Sequence, residues 1–386
     1  MSREDMMRIL RLHPRVVDVR PSEDNKLGLI TVLFDDGTSS GINPEMANPL
    51  TADESEEDRI ARIHRTLDVM KANGKTSDQL SLQDVVPLVR SADYFAPRPD
   101  NTAPSVVAWL TDFIGLGLAI DEPDLLRIIN DSQMPEQHDH FDDLQFQSQA
   151  IENLRTMAGN MTFSEIGLGP DVLVLDNPDG NEAAWFADVK TMESLLFHLW
   201  TQTDTYWVVI PARRSQLFLV NSETDQWDAL LDLLNPAIDA HDGIHPVPHL
   251  IVDDHWVVKL PPRDTELGMK LRMLELKAQH RLHSAIQSVM QEHSEVFLAT
   301  FEVRGLNDDV ISTAIVAETM DETSVPSTDM LVFAREDNTI YLVPSDKVLN
   351  EFPHLVREHP NFHPPRWIIA RPSDEDYTTL SALSIM

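Results

Sequence analysis

The chain has 386 residues, and its 64 acidic and 30 basic side chains give a formal net charge of −34. Its length predicts two or three domains, and the charge argues against binding nucleic acid or an anionic membrane, since both need Lys and Arg. The absence of cysteine excludes disulfides, thiolate nucleophiles, iron–sulfur clusters and cysteine-bound zinc.

No signal-peptide core begins the chain. No run of about 18 apolar residues occurs either. We therefore expect a cytoplasmic protein with no membrane contact, and composition alone indicates no cofactor.

Residues 1–96 predict a small α+β domain. The runs "RVVDVR" and "LGLITVLF" predict strands, and the Asp-Gly turn signal in "FDDGTSS", which follows them, favours a hairpin. A helix is expected after Ser55, a residue suited to the N-cap, because apolar residues follow at helical spacing. These residues are Ile60, Ile63, Leu67 and Met70.

Residues 97–262 predict a central α+β domain. The run "VVAWLTDFIGLGLAI" favours strand, turn and strand, and "FDDLQFQSQAIENLRTMAGN" a helix. "TMESLLFHLW" is a helix with an apolar stripe, and "TYWVVIPARRSQLFLV" is two strands around a turn. The next helix is expected to begin at a cap, Asp225, and to stop before Pro236. A strand pair then turns at Asp253 and Asp254.

Residues 263–386 predict a long helix followed by a C-terminal α+β domain. The helix should run from about Thr265 to His293, with Leu271, Leu274, Ala278 and Leu282 on one face. His280 and His283 are expected on its polar, solvated face. Strands, a short helix and a closing strand, "RWIIARP", complete the prediction. The fold class is α+β, with mixed or antiparallel sheets flanked by helices and a border near Pro262.

The segment from about residue 25 to 260 resembles the YtpQ-like family of uncharacterised bacterial cytoplasmic proteins. The likeness is carried by "VVPLVRSADYF", "MESLLFHL", "VIPARRSQLFLV" and "PVPHLIVDD", in that order. Where the family has one basic residue and an acid at the second turn, this chain has Arg213, Arg214 and Ser215. The resemblance implies an α+β cytoplasmic protein and supplies no catalytic residue, cofactor or partner.

Four histidines in "HDGIHPVPHLIVDDHW" raise the question of a metal site: His241, His245, His249 and His255. The first two could share a helix face at i, i+4, as zinc ligands do. However, Gly243, Pro246 and Pro248 disfavour a helix here. In the extended chain that the prolines favour, successive side chains point in different directions. The spacing favours no bound metal. We interpret His138 and His140, which precede a predicted helix, in the same way.

An acid-and-lysine group beside predicted strands suggests the only enzymatic alternative. It comprises Asp171, Asp176, Asp188 and Lys190, and resembles the cluster of a metal-dependent hydrolase. The competing interpretation is that these four side chains are ordinary charged residues, exposed to solvent in loops and at the ends of strands. No P-loop and no G-x-S-x-G elbow occurs.

Adjacent arginines at a predicted turn suggest a binding site. Arg213 and Arg214 lie between two apolar strands, and Arg90 is expected in the same layer. Arginine binds carboxylate and phosphate bidentately, although exposed arginines often simply pair with nearby carboxylates. We therefore expect a non-catalytic protein-binding or regulatory protein whose partner is another protein. The alternatives are a metal-dependent hydrolase using residues 171–190 and an acidic mimic of nucleic acid.

Overall fold

A computed structural model of the chain confirms an α+β fold with antiparallel and mixed sheets. The structure describes residues 3–22, 30–42, 55–73, 85–96, 106–122, 125–129, 143–158, 161–176, 181–291, 294–306, 309–360 and 362–385. The chain divides into two compact units. The first comprises Met1–Leu80 with Ile120–Arg127, and the second comprises Ser81–Ala119 with Ile128–Met386.

The first unit packs two helices with a three-stranded antiparallel sheet. The helices are α1 (Arg3–Arg11) and α2 (Glu56–Asn73), and the strands are β1 (Val16–Pro21), β2 (Ile30–Phe34) and β3 (Ser39–Ile42). The predicted hairpin turn contains Gly37 at φ 83°, a conformation that glycine adopts without strain. Ser55 Oγ accepts a hydrogen bond from Asp58 N at 3.1 Å, so the predicted cap of α2 is confirmed. Ile63 and Leu67 are fully buried in this core.

The second unit begins with β4 (Val85–Ser91), β5 (Val106–Thr111) and most of β6 (Ile114–Glu122), which pair in the order β4-β6-β5. The last residues of β6 and nearly all of β7 (Leu125–Ile128), which pairs with it, belong to the first unit. A 3-10 helix, Ala92–Phe95, follows β4, and α3 (Asp143–Ala158) contacts β4 and β5. Every residue of β4 is buried. Its first five residues are all apolar, as is typical of a strand that is covered on both faces.

A six-stranded antiparallel sheet forms the centre of this unit, in the order β13-β12-β10-β11-β9-β8. The strands are β8 (Thr162–Glu165), β9 (Val172–Asp176), β10 (Trp207–Arg213), β11 (Gln216–Asn221), β12 (His249–Val252) and β13 (His255–Val258). A 3-10 helix, Glu182–Ala187, precedes α4 (Val189–Thr203), and α5 (Trp227–Ile238) follows β11. Asp253 and Asp254 have φ of 49° and 63°, which confirms the predicted turn between β12 and β13.

The long helix α6 (Glu266–Met290) leads to two four-stranded sheets. One is β14-β17-β21-β20 and the other β15-β16-β18-β19. The bounds are β14 (Phe297–Leu298), β15 (Glu302–Leu306), β16 (Asp309–Ala317), β17 (Glu322–Pro326), β18 (Met330–Ala334), β19 (Ile340–Pro344), α7 (Ser345–Glu351), β20 (Val356–His359), β21 (Arg366–Ala370) and α8 (Asp374–Leu383). The pairs β14–β17 and β16–β18 are parallel, so both sheets are mixed.

The structure does not divide the chain at Pro262, where the sequence suggested a border. Leu271, Leu274 and Ala278 of α6 join the core beneath the six-stranded sheet, so α6 and this sheet share one compact unit. Contact between α6 and β16 links the same helix to the C-terminal strands.

Two expectations about α5 and one about the C-terminus are wrong. The helix starts after Gln226 with no side-chain cap, and it runs through Pro236 to Ile238. Pro236 cannot donate a backbone hydrogen bond within α5, but the burial of Ala237 and Ile238 stabilises the last turn of the helix. The chain also does not close on a strand, because α8 follows β21. In the described part of the chain, no helix is long and apolar enough to cross a membrane.

Candidate functional site

The β10–β11 turn presents Arg213 and Arg214 on a backbone held at several points. Arg213 ends β10 after a register irregularity and forms an isolated bridge with Gly243. Arg214 N donates to Asp242 O at 3.0 Å, and Arg214 O accepts from Ala183 N at 3.0 Å. Loops on two sides therefore fix the turn, which limits the directions open to both side chains.

Arg90 lies in β4, and its charge interacts with this turn. Its side chain is buried, and Nη1 donates to Val89 O at 2.7 Å. Burial lowers the pKa of Arg90 to about 10, while Tyr94 acts to raise it and Arg214 to lower it. Asp242 also acts to raise this pKa. The structure thus brings Arg90 and Arg214 close enough for their charges to repel each other, and we name Arg90, Arg213 and Arg214 the arginine cluster.

Within the part of the chain that the structure describes, the arginine cluster has no ion-pair partner. No carboxylate of the described residues lies within salt-bridge distance of its three guanidinium groups, whereas Arg155, Arg272 and Arg281 all have carboxylate partners. Three buried polar atoms around the turn also have no hydrogen-bond partner: Nε of Arg213, Oδ1 of Asn181 and Oδ1 of Asp242. Such unsatisfied groups are uncommon in proteins and call for an explanation.

The four residues of the acid-and-lysine group do not meet. Asp171 and Asp176 stand at opposite ends of β9, about 17 Å apart for five residues of extended chain. Asp171 Oδ1 accepts from Asn221 Nδ2 at 3.0 Å, and Asp176 Oδ2 accepts from Ser164 Oγ at 3.0 Å. The two carboxylates therefore cannot hold one ion between them.

Asp188 has a structural role at the start of α4. It accepts two hydrogen bonds from Arg155, at 2.7 and 2.8 Å, and caps the helix by accepting from Thr191 N at 3.2 Å. Burial acts to raise the pKa of Asp188, but the bonds from Arg155 and Thr191 outweigh it and leave the pKa below its usual value. Lys190 is exposed on the first turn of α4.

The four candidate histidine ligands separate into two buried and two exposed side chains. His245 and His249 are fully buried, and Nδ1 of His245 lies 3.4 Å from Nε2 of His249. His241 and His255 are exposed, the latter bonding through Nδ1 to Asp253 O at 2.6 Å. Among the described residues no group of three or more His, Cys, Asp or Glu could hold a metal ion. His138 and His140 lie outside the described residues.

His283 was expected to face solvent, but it is buried. Its ring stacks on Phe301 at 5.0 Å and meets Phe113 edge-on at 6.3 Å, and Phe113 in turn stacks on His245 at 4.9 Å. Burial lowers the pKa of His283 to about 3, and the charge of Arg366 contributes. The helical spacing that indicated a polar face could not anticipate the C-terminal strands, which cover this side of α6.

A groove of about 650 Å³ lies beside α5, α6 and β15. Its cations have local partners, because Arg281 pairs with Asp93 at 2.8 Å and Lys277 Nζ lies 3.5 Å from Asn235 Oδ1. The groove is open, and none of its lining side chains is a buried polar group without a hydrogen-bond partner.

The outer side of α4 exposes large apolar side chains that sequence reasoning left unassigned. Of the fifteen residues of α4, all described, only Met192 is buried. Phe197 and Trp200 are 63% and 44% exposed, and their rings lie 5.6 Å apart. Together with half-buried Leu196 they form what we name the α4 surface. The sequence does indicate this exposure. Residues 195–197 are all apolar, and three consecutive residues spread over too much of the circumference of a helix to be buried by one contact face.

No family model, curated protein or solved structure matches this chain. The geometry of these sites is therefore the basis for proposing a function.

Proposed function

We propose that this chain is a non-catalytic protein-binding or regulatory protein of the cytoplasm, and that the α4 surface contacts its partner. The likeness to the YtpQ-like family is part of the same proposal. The observation that supports it is the exposure of Phe197 and Trp200 side by side on a helix whose ends are fixed. Exposed apolar patches on soluble proteins mark interaction sites, and Trp is among the residues that contribute most to binding.

The helix that carries this surface is held firmly enough to act as a recognition element. Asp188 caps its N-terminus, and Asp204 at its C-cap adopts a left-handed conformation with φ 56°. Trp207 Nε1 donates to Thr203 Oγ1 at 3.0 Å and so ties the last turn to β10. A rigid apolar surface loses little conformational entropy on binding, which favours affinity.

We propose a partner of a different kind from this chain, with an apolar ridge bordered by Lys and Arg. Two copies of a chain with a net charge of −34 repel each other, so self-association through this surface is disfavoured. The negative charge of this chain would instead attract a partner whose binding surface is bordered by Lys and Arg, and this attraction would accelerate association.

The metal-dependent hydrolase is less well supported, because Asp171 and Asp176 are far apart and Asp188 is engaged by Arg155. Catalysis by this group would require all of these contacts to rearrange.

A photo-crosslinking residue in place of Trp200 tests the proposal, with the same residue in place of Leu233 as control. The two positions are similarly exposed, at 44% and 46%. We expect a covalent adduct with one basic-rimmed protein from position 200 and none from position 233. Binding of that purified protein should then weaken about tenfold or more in Phe197→Ser/Trp200→Ser, since central aromatic residues contribute at least about 1.4 kcal/mol.

Two outcomes contradict the proposal. If the double variant binds the captured protein as tightly as the wild type and the Leu233→Ser control do, the α4 surface is not the binding site. If the adduct is a second copy of this chain, the surface mediates self-association and the proposed partner is wrong.

A further inference from the structure

We propose that the partner of the α4 surface docks as an α-helix whose apolar side chains cover Phe197 and Trp200 and which carries a Lys or Arg one turn beyond them at each end. The inference rests on the proposed function, because it names the structure that fills the same surface. Three observations support it: the spacing of exposed side chains along α4, the charge at both ends of that spacing, and the way these charges would meet in a second copy.

The first observation is that four exposed side chains follow one side of α4. Phe197 and Trp200 are three residues apart in the middle of the helix. Glu193 lies four residues before this pair, and Asp204 lies four residues after it. All four are exposed, and we name them the acid-ended stripe. Steps of four, three and four residues return to the same side of a helix, and two helices pack along each other through rows of this spacing.

The stripe is continuous along the helix. The rings of Phe197 and Trp200 lie 5.6 Å apart and form its apolar centre. Asp204 N donates to Trp200 O at 2.8 Å, so the backbone still follows the helix where the stripe ends. Glu193 and Asp204 are eleven residues apart in the sequence, which is about 16 Å along a helix axis. A helical partner has to place its two basic residues at the same separation, about three turns.

The second observation is that a carboxylate stands at each end of the aromatic centre. Neither Glu193 nor Asp204 forms an ion pair with a Lys or Arg of the described residues, so both charges are available to a partner. At an apolar interface, opposite charges at the rim fix the register and accelerate association. A helix with Lys or Arg four residues before and after its apolar pair would meet both carboxylates at once.

The third observation argues against a second copy of this chain as the partner. The stripe reads the same in both directions, because Glu193 and Asp204 are equally far from the midpoint between the two rings. In an antiparallel pair of copies Glu193 would face Asp204, and in a parallel pair each carboxylate would face its own equivalent. Carboxylates meet in both arrangements, and like charges that face each other oppose pairing. A helix with basic ends has no such conflict in either direction.

A lipid surface is the other class of partner that an exposed aromatic helix can bind, and the charges of α4 argue against it. Helices that lie in a membrane interface are rich in Lys and Arg on the polar face. Among its fifteen residues α4 has one such residue, Lys190. The net charge of −34 would also be repelled by anionic lipids. Co-sedimentation with phosphatidylcholine vesicles, lost in Phe197→Ser/Trp200→Ser, would overturn the assignment to a helix.

Two synthetic peptides of identical composition test the inference on the full-length protein. Both are short stapled helices of Ala and Gln with two leucines three residues apart. In the matched peptide a lysine stands four residues beyond each leucine, and in the displaced peptide the same lysines lie on the opposite face. Because both peptides carry the same net charge, the general attraction to an acidic protein is equal. We expect the matched peptide to bind about fivefold more tightly at low salt, since exposed ion pairs contribute little each, and the difference to shrink in high salt.

The variant Glu193→Gln/Asp204→Asn should bring the ratio of the two affinities close to one. Asn tolerates the left-handed conformation that Asp204 adopts at φ 56°, so this variant keeps the end of the helix intact. The matched control is Asp232→Asn/Glu295→Gln, which removes the same charge from two exposed acids outside α4. This control should keep the fivefold preference of the wild type.

Equal affinity of the wild type for the two peptides would overturn the inference, as would no detectable binding of either. An unchanged preference in Glu193→Gln/Asp204→Asn would also overturn it. The protein captured through position 200 separates this failure from that of the proposed function. If its binding is lost in Phe197→Ser/Trp200→Ser but unchanged in Glu193→Gln/Asp204→Asn, the α4 surface binds a partner that is not a basic-ended helix. If neither variant weakens that binding, the proposed function fails as well.

Discussion

Nδ1 of His245 and Nε2 of His249 lie 3.4 Å apart in the interior, and neither side chain is exposed to solvent. Burial holds the pKa of His245 well below its usual value, and the neighbouring imidazole lowers it further. Burial also lowers the pKa of His249 to about 4. Both rings are therefore neutral at pH 7, and one nitrogen can donate to the other. A neutral pair of this kind links β12 to the loop before it.

These depressed pKa values predict that acid destabilises the fold. The unfolded chain binds protons at its histidines from pH 6.5 downward, whereas folded His249 does so only near pH 4. The free energy of unfolding should therefore be highest above pH 6.5 and fall as the pH drops towards 4, by about 3 kcal/mol for this residue. Urea denaturation measured between pH 7.5 and 4.5 tests this.

The variant His249→Gln should reduce the pH dependence of the free energy of unfolding by the contribution of about one proton, and His255→Gln, which alters an exposed ring, serves as the control. An unchanged slope in His249→Gln would show that other groups cause the acid sensitivity.

The contacts of α6 predict that the chain cannot be shortened at the proline pair. A fragment ending at Arg263 lacks Leu271, Leu274 and Ala278, which are buried beneath the six-stranded sheet. We expect this fragment to lose cooperative urea unfolding and its near-ultraviolet circular dichroism. In the full chain Leu274→Ala should lower the free energy of unfolding by about 3 kcal/mol. Cooperative unfolding of the fragment would restore the domain border that the sequence suggested.

The position of Asp188 predicts a structural rather than a catalytic effect. Asp188→Ala removes the cap of α4 and leaves Arg155 with only the longer contact to Glu152 at 3.5 Å, so the free energy of unfolding should fall by about 2 kcal/mol. Asp176→Ala, at the exposed end of β9, serves as the control and should change it by less than about 0.5 kcal/mol. Thermal or urea unfolding of the two variants makes the comparison, and equal stabilities would contradict the capping role.

Sequence reasoning succeeded where the signal was local. Ser55 caps α2 through a bond to a residue three positions away, and Asp253 and Asp254 turn the chain between adjacent strands. The helix α8 could have been found in the same way, because Ser373 and Asp376 form a capping box whose S-x-x-D spacing is visible in the sequence.

Tertiary contacts account for what the sequence could not indicate. His283 is buried by Phe301, which is eighteen residues away along the chain, and no periodicity within α6 predicts that contact. The helix that contains Phe197 was predicted correctly, but periodicity does not reveal which apolar side chains remain exposed. At the arginine cluster the turn was predicted, whereas the burial of Arg90 depends on packing that brings β4 near the turn.

Asp329 connects α6 to the C-terminal strands, and its removal should be the most damaging change outside the apolar cores. Its carboxylate accepts from Arg272 at 2.7 and 2.9 Å, from Arg263 at 3.2 Å, and from both N and Oγ of Ser312 at 2.8 Å. Asp329→Ala leaves the guanidinium of Arg272, which is 11% exposed, with Glu275 as its remaining acid. We expect the free energy of unfolding in urea to fall by about 3 kcal/mol, because a largely buried guanidinium loses one of its two acids and Ser312 loses its acceptor.

The variant Arg272→Met/Glu275→Gln/Asp329→Ala separates the loss of the ion pairs from the burial of a charge without its partner. Because Glu275 also pairs with Arg272, all three charges are replaced, no buried charge of this group is left behind, and the triple variant should be more stable than Asp329→Ala alone. Asp321→Ala is the surface control: Asp321 is 92% exposed and pairs with Arg371 at 2.6 Å, and its loss should change the free energy by about 0–1 kcal/mol. If Asp329→Ala is no more destabilising than Asp321→Ala, the link between α6 and the C-terminal strands depends on apolar packing and not on this carboxylate.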